Sequence, residues 1–144
     1  MPQKNSRWEE FFGSRLGSIF YANFDEETIA LGPPDKREVE EYCFEREISA
    51  KQAHREFEKM GKEPASLWAA GRYFQTNKTS VGVGIAVTGA LYQDLPNHEG
   101  CTMYPMFIIG EDGKFSVGMQ YYDIPHTNHV HLFFPPNTIF LVYR

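Results

Sequence analysis

The chain has little positive charge. Its 144 residues include 14 Lys and Arg against 19 Asp and Glu, which gives a formal net charge of -5. Proteins that follow the phosphates of nucleic acid, or that lie on anionic membranes, present a basic face. We therefore expect no nucleic-acid partner and no membrane partner.

Cysteine is scarce and long apolar runs are absent. Two cysteines, Cys43 and Cys101, cannot form the framework of a disulfide-stapled domain, and they lack metal-site spacing. No run approaches the roughly 18 apolar residues that a membrane helix needs. The first residues, MPQKNSRWEEFF, lack the apolar core of a secretory signal. These absences predict a protein of the reducing cytoplasm.

Common enzyme motifs are also missing. No glycine-rich phosphate loop is present, because Gly82-Val83-Gly84 falls inside an apolar strand pattern and not before a helix. No G-x-S-x-G nucleophile motif occurs. The sequence therefore predicts no cofactor, and it leaves proton transfer by side chains as the simplest chemistry.

The patterns that are present place helices before strands within one domain, residues 1–144. Apolar spacing predicts helices over Trp8–Leu16 and Lys36–Ile48. Ser49 and Gln52 form a capping box for a further helix, which would present Ala50, Ala53, Phe57 and Met60 and end at Gly61. Ser66–Gln75 fits a helix or a strand equally well.

Apolar alternation dominates the second half of the chain. It predicts strands, after a short early one at Glu27–Leu31, over Val81–Leu91, Cys101–Ile109, Phe115–Asp123, and a final pair Val130–Phe134 and Thr138–Tyr143. Pro105 indicates an edge strand or a bulge. This order predicts an α+β fold in which N-terminal helices cover one side of a curved, mostly antiparallel sheet.

Glu111–Asp123 is the most informative segment. Asp112-Gly113 suits a tight hairpin turn. In the strand that follows, alternate side chains share one apolar face: Phe115, Val117, Met119 and Tyr121. Asp123 has the same parity, and a carboxylate at the end of an apolar stripe has a raised pKa that suits proton transfer. Alternatively, Asp123 caps the turn at Ile124-Pro125.

Three histidines follow within six residues: His126, His129 and His131. His129 and His131 form an H-x-H pair that can bind a metal, with His98 or Asp123 as a third ligand. We prefer a metal-free interpretation, in which one histidine works with Asp123 in proton transfer.

The segment Ile85–Asp123 resembles the C-terminal half of the SnoaL-like polyketide cyclase and ketosteroid isomerase superfamily. The resemblance lies in VTG at Val87–Gly89, the strand Met106–Ile109, DGKF at Asp112–Phe115 and YYD at Tyr121–Asp123. It implies a cone-like α+β barrel enclosing an apolar pocket, with Ser66–Gln75 as a strand. It also implies a homodimer and isomerisation, cyclisation, dehydration or epoxide opening of small hydrophobic molecules.

Together these features predict a small cofactor-independent enzyme, of the isomerase, cyclase or dehydratase type, that acts on a small hydrophobic ligand by acid/base chemistry. The expected catalytic residues are Asp123, His126, His129 and Tyr121. The expected substrate-binding residues are Tyr104, Tyr21, Trp68, Met119 and Phe107, although aromatic residues also fill ordinary cores. The alternatives are a non-catalytic ligand- or protein-binding domain of inhibitor type and a metal-dependent enzyme that uses the histidine cluster.

Overall fold

A computed structural model describes residues 16–19, 29–76, 82–123 and 133–144. For 16–19, Asp123 and Phe133, the backbone alone is described. The expected helix at Trp8–Leu16 therefore lies outside the described residues, except that Leu16 begins a strand.

Within these ranges the chain is α+β, with two helices and a mixed sheet. The helices are α1 (Ala50–Met60) and α2 (Leu67–Thr76). The strands are β1 (Leu16–Ile19), β2 (Val39–Cys43), β3 (Ile48–Ser49), β4 (Gly84–Ala86), β5 (Tyr92–Leu95), β6 (His98–Ile109), β7 (Phe115–Asp123), β8 (Phe133–Phe134) and β9 (Ile139–Tyr143).

The main sheet has the order β1-β7-β6-β4-β9-β2, with β5 beside β6, while β3 and β8 form a separate ribbon. The pairs β1·β7 and β4·β9 are parallel, and the remaining pairs are antiparallel. In the described part of the chain, the end strands β1 and β2 do not pair with each other. The described sheet is therefore open.

The first helix forms as its sequence predicts. The Ser49 hydroxyl accepts from the Gln52 backbone N–H at 3.1 Å, and the Gln52 side chain accepts from the Ser49 N–H at 3.2 Å. Gly61, at φ 70°, closes the helix in the left-handed conformation that glycine favours. Ala50, Ala53 and Phe57 are buried as expected, whereas Met60 is exposed.

The two helices lie on opposite faces of the sheet, so the expectation that helices cover one side is wrong. On the α1 face, Ala53 and Phe57 belong to a cluster with Phe140. On the α2 face, Ala70 and Phe74 belong to a second cluster. Side chains alternate along a strand, and all five residues of β9 are buried. β9 therefore supplies both cores and lies in the interior of a three-layer arrangement.

Lys36–Ile48 is not a helix. Its central part is β2, which pairs antiparallel with β9 from Val39 opposite Tyr143 to Cys43 opposite Ile139. Val39 packs against the α2-face core and Tyr42 against the α1-face core. Val39 and Tyr42 are three residues apart because this strand contacts the α2-face core with one side and the α1-face core with the other. Of the expected early strand, the described part, Ile29–Leu31, is also not a strand.

Ser66–Gln75 is helical, so the strand implied by the resemblance is wrong. The Ser66 hydroxyl accepts from the Ala69 N–H at 3.2 Å and satisfies a free donor of the first turn. Leu67, Ala70 and Phe74 recur at helical spacing and are buried together. Of the expected strand Val81–Leu91, only Gly84–Ala86 pairs as a strand among its described residues.

Pro105 lies inside an interior strand, contrary to the expected edge. On one side of β6 the partner changes from β5, at Met103, to β4, at Met106. The Pro105 carbonyl accepts from the Val87 N–H at 3.0 Å, so the proline nitrogen faces this same side. Its missing N–H falls at the change of partner, which explains why the strand tolerates it. A register irregularity occurs nearby, at Thr102 and Met103.

The hairpin before β7 forms as predicted, and the final pair does not. Gly113 has φ 79°, and the Asp112 carboxylate accepts from the Lys114 N–H at 3.0 Å. β8 pairs with β3, whereas β9 pairs with β2 and β4. Across the described ranges, neither helix has the length and apolar character needed to cross a membrane.

Candidate functional site

Several predicted catalytic residues lie outside the described residues. Asp123 ends β7, and its backbone is paired with Thr102, but its side chain is not described. His126, His129, His131 and Tyr21 are likewise outside the described ranges. Their roles stay predictions.

The end of β7 carries two tyrosine–histidine pairs, one on each face of the sheet. The Tyr121 hydroxyl lies 3.0 Å from His98 Nδ1. The next side chain, Tyr122, places its hydroxyl 3.3 Å from His54 Nδ1, with ring centroids 5.0 Å apart. Because neighbouring strand residues project oppositely, the sheet separates the two pairs.

The predicted substrate-binding residues are divided between the two faces. Phe107 is fully buried, with ring centroids 5.0 Å from Phe74 and 6.1 Å from Phe115. Trp68 and Met119 are partly buried against the same α2-face core. Phe107 therefore fills the core, as aromatic residues commonly do.

Tyr104 lies on the other face, in the α1-face core. In the sheet it is opposite Gln120, while Tyr121 is opposite Met103. Tyr104 and Tyr121 therefore project to opposite sides of the sheet, and they cannot both serve one pocket.

Four polar side chains lie between α1 and the sheet, and we call them the buried polar cluster: His54, Thr88, Tyr104 and Tyr122. Thr88 and Tyr104 are both fully buried. The register of β4 with β6 pairs Ala86 with Met106 and continues through the Val87–Pro105 hydrogen bond. Thr88 follows in the turn after β4, and its backbone lies near His54.

Three buried polar atoms of this cluster have no hydrogen-bond partner within the described residues. They are His54 Nε2, Thr88 Oγ1 and the Tyr104 hydroxyl. Leaving such an atom unpaired typically costs about 1–3 kcal/mol. The cluster thus presents unused donors and acceptors to anything that enters it.

Burial favours the uncharged forms of His54 and Tyr104. It lowers the pKa of His54, although the nearby Thr88 backbone carbonyl acts in the opposite direction. It also raises the pKa of Tyr104 well above its usual range. Whichever His54 nitrogen holds the proton, Nδ1 faces Tyr122. Nε2 makes no hydrogen bond of good geometry within the described residues, so it can act as a donor or as a base in competition with the Thr88 backbone carbonyl.

A hollow of about 390 Å³ reaches the cluster from one side of α1. Its lining is Lys51, His54, Arg55, Glu58, Lys62, Glu63, Pro64 and Tyr122. His54 and Tyr122 thus line a surface hollow, but His54 Nε2 itself is buried, and the fully buried Thr88 and Tyr104 do not line the hollow.

The spacing of residues along α1 contains a sequence signal for His54. Position 54 follows Ala50 by four residues and precedes Phe57 by three, which places it on the flank of the buried helix face. A histidine at that boundary can be half-buried and still reach solvent.

The chain matches no family model, no curated protein and no solved structure. The resemblance to the SnoaL-like superfamily therefore stays a prediction. Among the described residues, no group of three or more His, Cys, Asp or Glu side chains is arranged to hold a metal ion.

Proposed function

We propose that this protein is a small acid/base enzyme that binds an uncharged carbonyl or hydroxyl compound at the buried polar cluster. The observation that carries this proposal is that three buried side-chain atoms, one each from His54, Thr88 and Tyr104, have no hydrogen-bond partner among the described residues. Native proteins keep few such atoms, and each needs an explanation. A ligand oxygen bonded to them supplies one.

The chemistry of each side chain assigns its role. His54, neutral because burial lowers its pKa, takes or gives a proton. Tyr104 donates to an oxygen that gains negative charge, and Thr88 orients the same group. Tyr122 holds the imidazole through Nδ1.

Isomerisation, cyclisation or dehydration next to a carbonyl needs no cofactor beyond such groups. In this proposal the substrate is a small hydrophobic molecule, because apolar side chains surround the cluster: Ala53, Phe57, Phe134 and Phe140. Asp123, His126 and His129 remain candidate participants. A cone-like curvature of the sheet, a more enclosed pocket and a homodimer also belong to the proposal.

Solvent exchange tests this function without knowledge of the natural substrate. A panel of small ketones and enones is incubated with the protein in D₂O, and NMR follows deuterium entering beside the carbonyl. His54→Gln should lower the exchange rate of any responsive compound by about 10²–10⁴ because it removes the base. Tyr104→Phe should lower it by about 10²–10³.

His98→Gln is the matched control, because His98 also pairs with a tyrosine but on the opposite face. It should leave the exchange rate nearly unchanged. Equal loss in the two histidine variants would contradict the assignment of the site.

A non-catalytic ligand-binding domain is the second candidate. Packed cores on both faces favour it, since Phe107 and Tyr104 are fully buried. Compounds that bind at the cluster but exchange no faster than in buffer would establish binding and remove the enzyme proposal.

A further inference from the structure

A groove on the α2 side of the molecule gathers positive charge. It has a volume of about 260 Å³ and lies between the start of β2 and the outer side of α2. Its lining is Lys36, Arg37, Glu38, Val39, Ala69, Arg72, Tyr73, Thr76 and Arg144. Four cations and one acid thus line a single hollow in a chain whose net charge is -5.

The acids around the groove are already paired. Asp35 and Glu63 both bind the Arg37 guanidinium, at 2.7 Å and 3.0 Å. Glu38 pairs with Arg144 at 3.2 Å. Glu41 accepts a hydrogen bond from the Tyr73 hydroxyl at 2.6 Å. The Glu38–Arg144 pair is well exposed, so it holds Arg144 only weakly.

Two cations remain uncommitted. Among the described residues, Lys36 and Arg72 have no carboxylate partner. Arg72 Nη1 donates to the Lys36 backbone carbonyl at 3.2 Å, which anchors the guanidinium at the groove. A guanidinium has five N–H donors, so most of them are left for a ligand.

The groove wall is held in place before any ligand binds. The Arg37 guanidinium makes three hydrogen bonds to the Asp35 carboxylate, the shortest 2.7 Å. It also lies 3.7 Å from the centre of the Tyr143 ring. Ion pairing and stacking together fix this side chain, which lowers the entropy cost of ordering the groove.

We propose that this groove binds the oxyanion of a small ligand, a carboxylate or a phosphate. Arg72 binds it through paired N–H groups, and Lys36 and Arg144 add charge. Val39 and Ala69 offer a small apolar surface to the rest of the ligand. The groove is on the opposite side of the sheet from the buried polar cluster, so this site is independent of the proposed enzyme function.

An NMR titration at constant ionic strength tests the site. Inorganic phosphate and acetate are added in separate titrations, and chloride is lowered by the amount that keeps the ionic strength constant. The chemical shifts of the backbone amides near Lys36 and Arg72 are followed. We expect saturable shifts with at least one anion. The tighter of the two identifies the ligand class as phosphate or carboxylate.

Variants make the result specific. Arg72→Gln should weaken the binding by about tenfold or more, because it removes the forked donor and its charge. Lys59→Gln is the matched control, since Lys59 is also exposed but lies on α1, paired with Glu56. Non-saturating shifts for both anions, or equal affinity in the Arg72 and Lys59 variants, would overturn the proposal. Unchanged thermal midpoints show that the variants remain folded.

Discussion

Burial shifts the protonation equilibrium of one histidine, His54. His54 is half-buried, with the Tyr122 hydroxyl 3.3 Å from its Nδ1. Desolvation disfavours the protonated ring, and Glu58 and Glu63, which line the adjoining hollow, do not outweigh that effect. The lowered pKa of His54 follows from that setting.

The same setting makes the stability of the protein depend on pH. In the unfolded chain His54 titrates near its ordinary pKa of 6.5, and in the folded chain its pKa is lower. Below pH 6.5 the unfolded chain therefore binds a proton that the folded chain does not. The free energy of unfolding should decrease as the pH falls from 6.5 toward the lowered value.

Urea unfolding between pH 5 and pH 8 measures this effect. His54→Gln should show a shallower decrease than the native chain over that interval, because glutamine does not titrate. Parallel curves for the two proteins would show that another group causes the acid sensitivity.

At the level of single residues, sequence patterns placed residues on strands but did not predict which side chains they contact. Tyr121 and Tyr104 were correctly identified as polar groups on apolar strands, but alternation places them on opposite faces. His54 was missed because it lies between buried and exposed positions of α1. Which hydroxyl it contacts depends on the packing of α1 against β7, which local patterns do not contain.

Among the elements, those with local signals were predicted correctly. The capping box starts α1, and a left-handed glycine ends both α1 and the hairpin before β7. β2 was mistaken for a helix because its outer positions are charged and its apolar residues contact two layers. The partners of β9 were wrong because both come from distant parts of the chain.

One close approach between elements is sensitive to a single methyl group. A Cβ at Gly89 would overlap the backbone carbonyls of Pro64 and Ala65. The Pro64–Ala65 segment is also hydrogen-bonded to β9, because the Ala65 N–H donates to the Leu141 carbonyl at 2.9 Å. Gly89→Ala should therefore lower the free energy of unfolding by about 1–3 kcal/mol, because two backbone segments must separate.

Gly110→Ala is the control for that change. A Cβ there would come closest to the Asp112 carboxylate, at 3.0 Å, which is a side chain that can move, and the Lys114 carbonyl oxygen would lie at an ordinary contact distance of 3.7 Å. Chemical denaturation of both variants gives the comparison. An equal loss of stability would contradict the view that the Gly89 contact is the tighter constraint.

For the whole molecule, the sheet separates two hydrophobic cores. Phe57 belongs to one core and Phe74 to the other. Phe57→Leu and Phe74→Leu should each cost about 1–3 kcal/mol. In the double variant the two losses should add within about 0.5 kcal/mol, because the side chains share no contact.

A second double-mutant cycle, on two residues that are in contact, provides the comparison. Phe74 and Phe107 have ring centroids 5.0 Å apart, so the pair Phe74→Leu and Phe107→Leu should deviate from additivity. Urea denaturation of the single and double variants measures both cycles. Strong coupling between Phe57 and Phe74 would show that the two cores act as one.

The burial of β9 on both faces also has a consequence for refolding. The segment Thr138–Tyr143, TIFLVY, carries no charge, glycine or proline. Before β2 and β4 pair with its two edges, this segment is an unpaired apolar strand that can pair with the same segment of other molecules. Dilution during renaturation should therefore favour monomers over aggregates, since correct flanking requires only contacts within one chain.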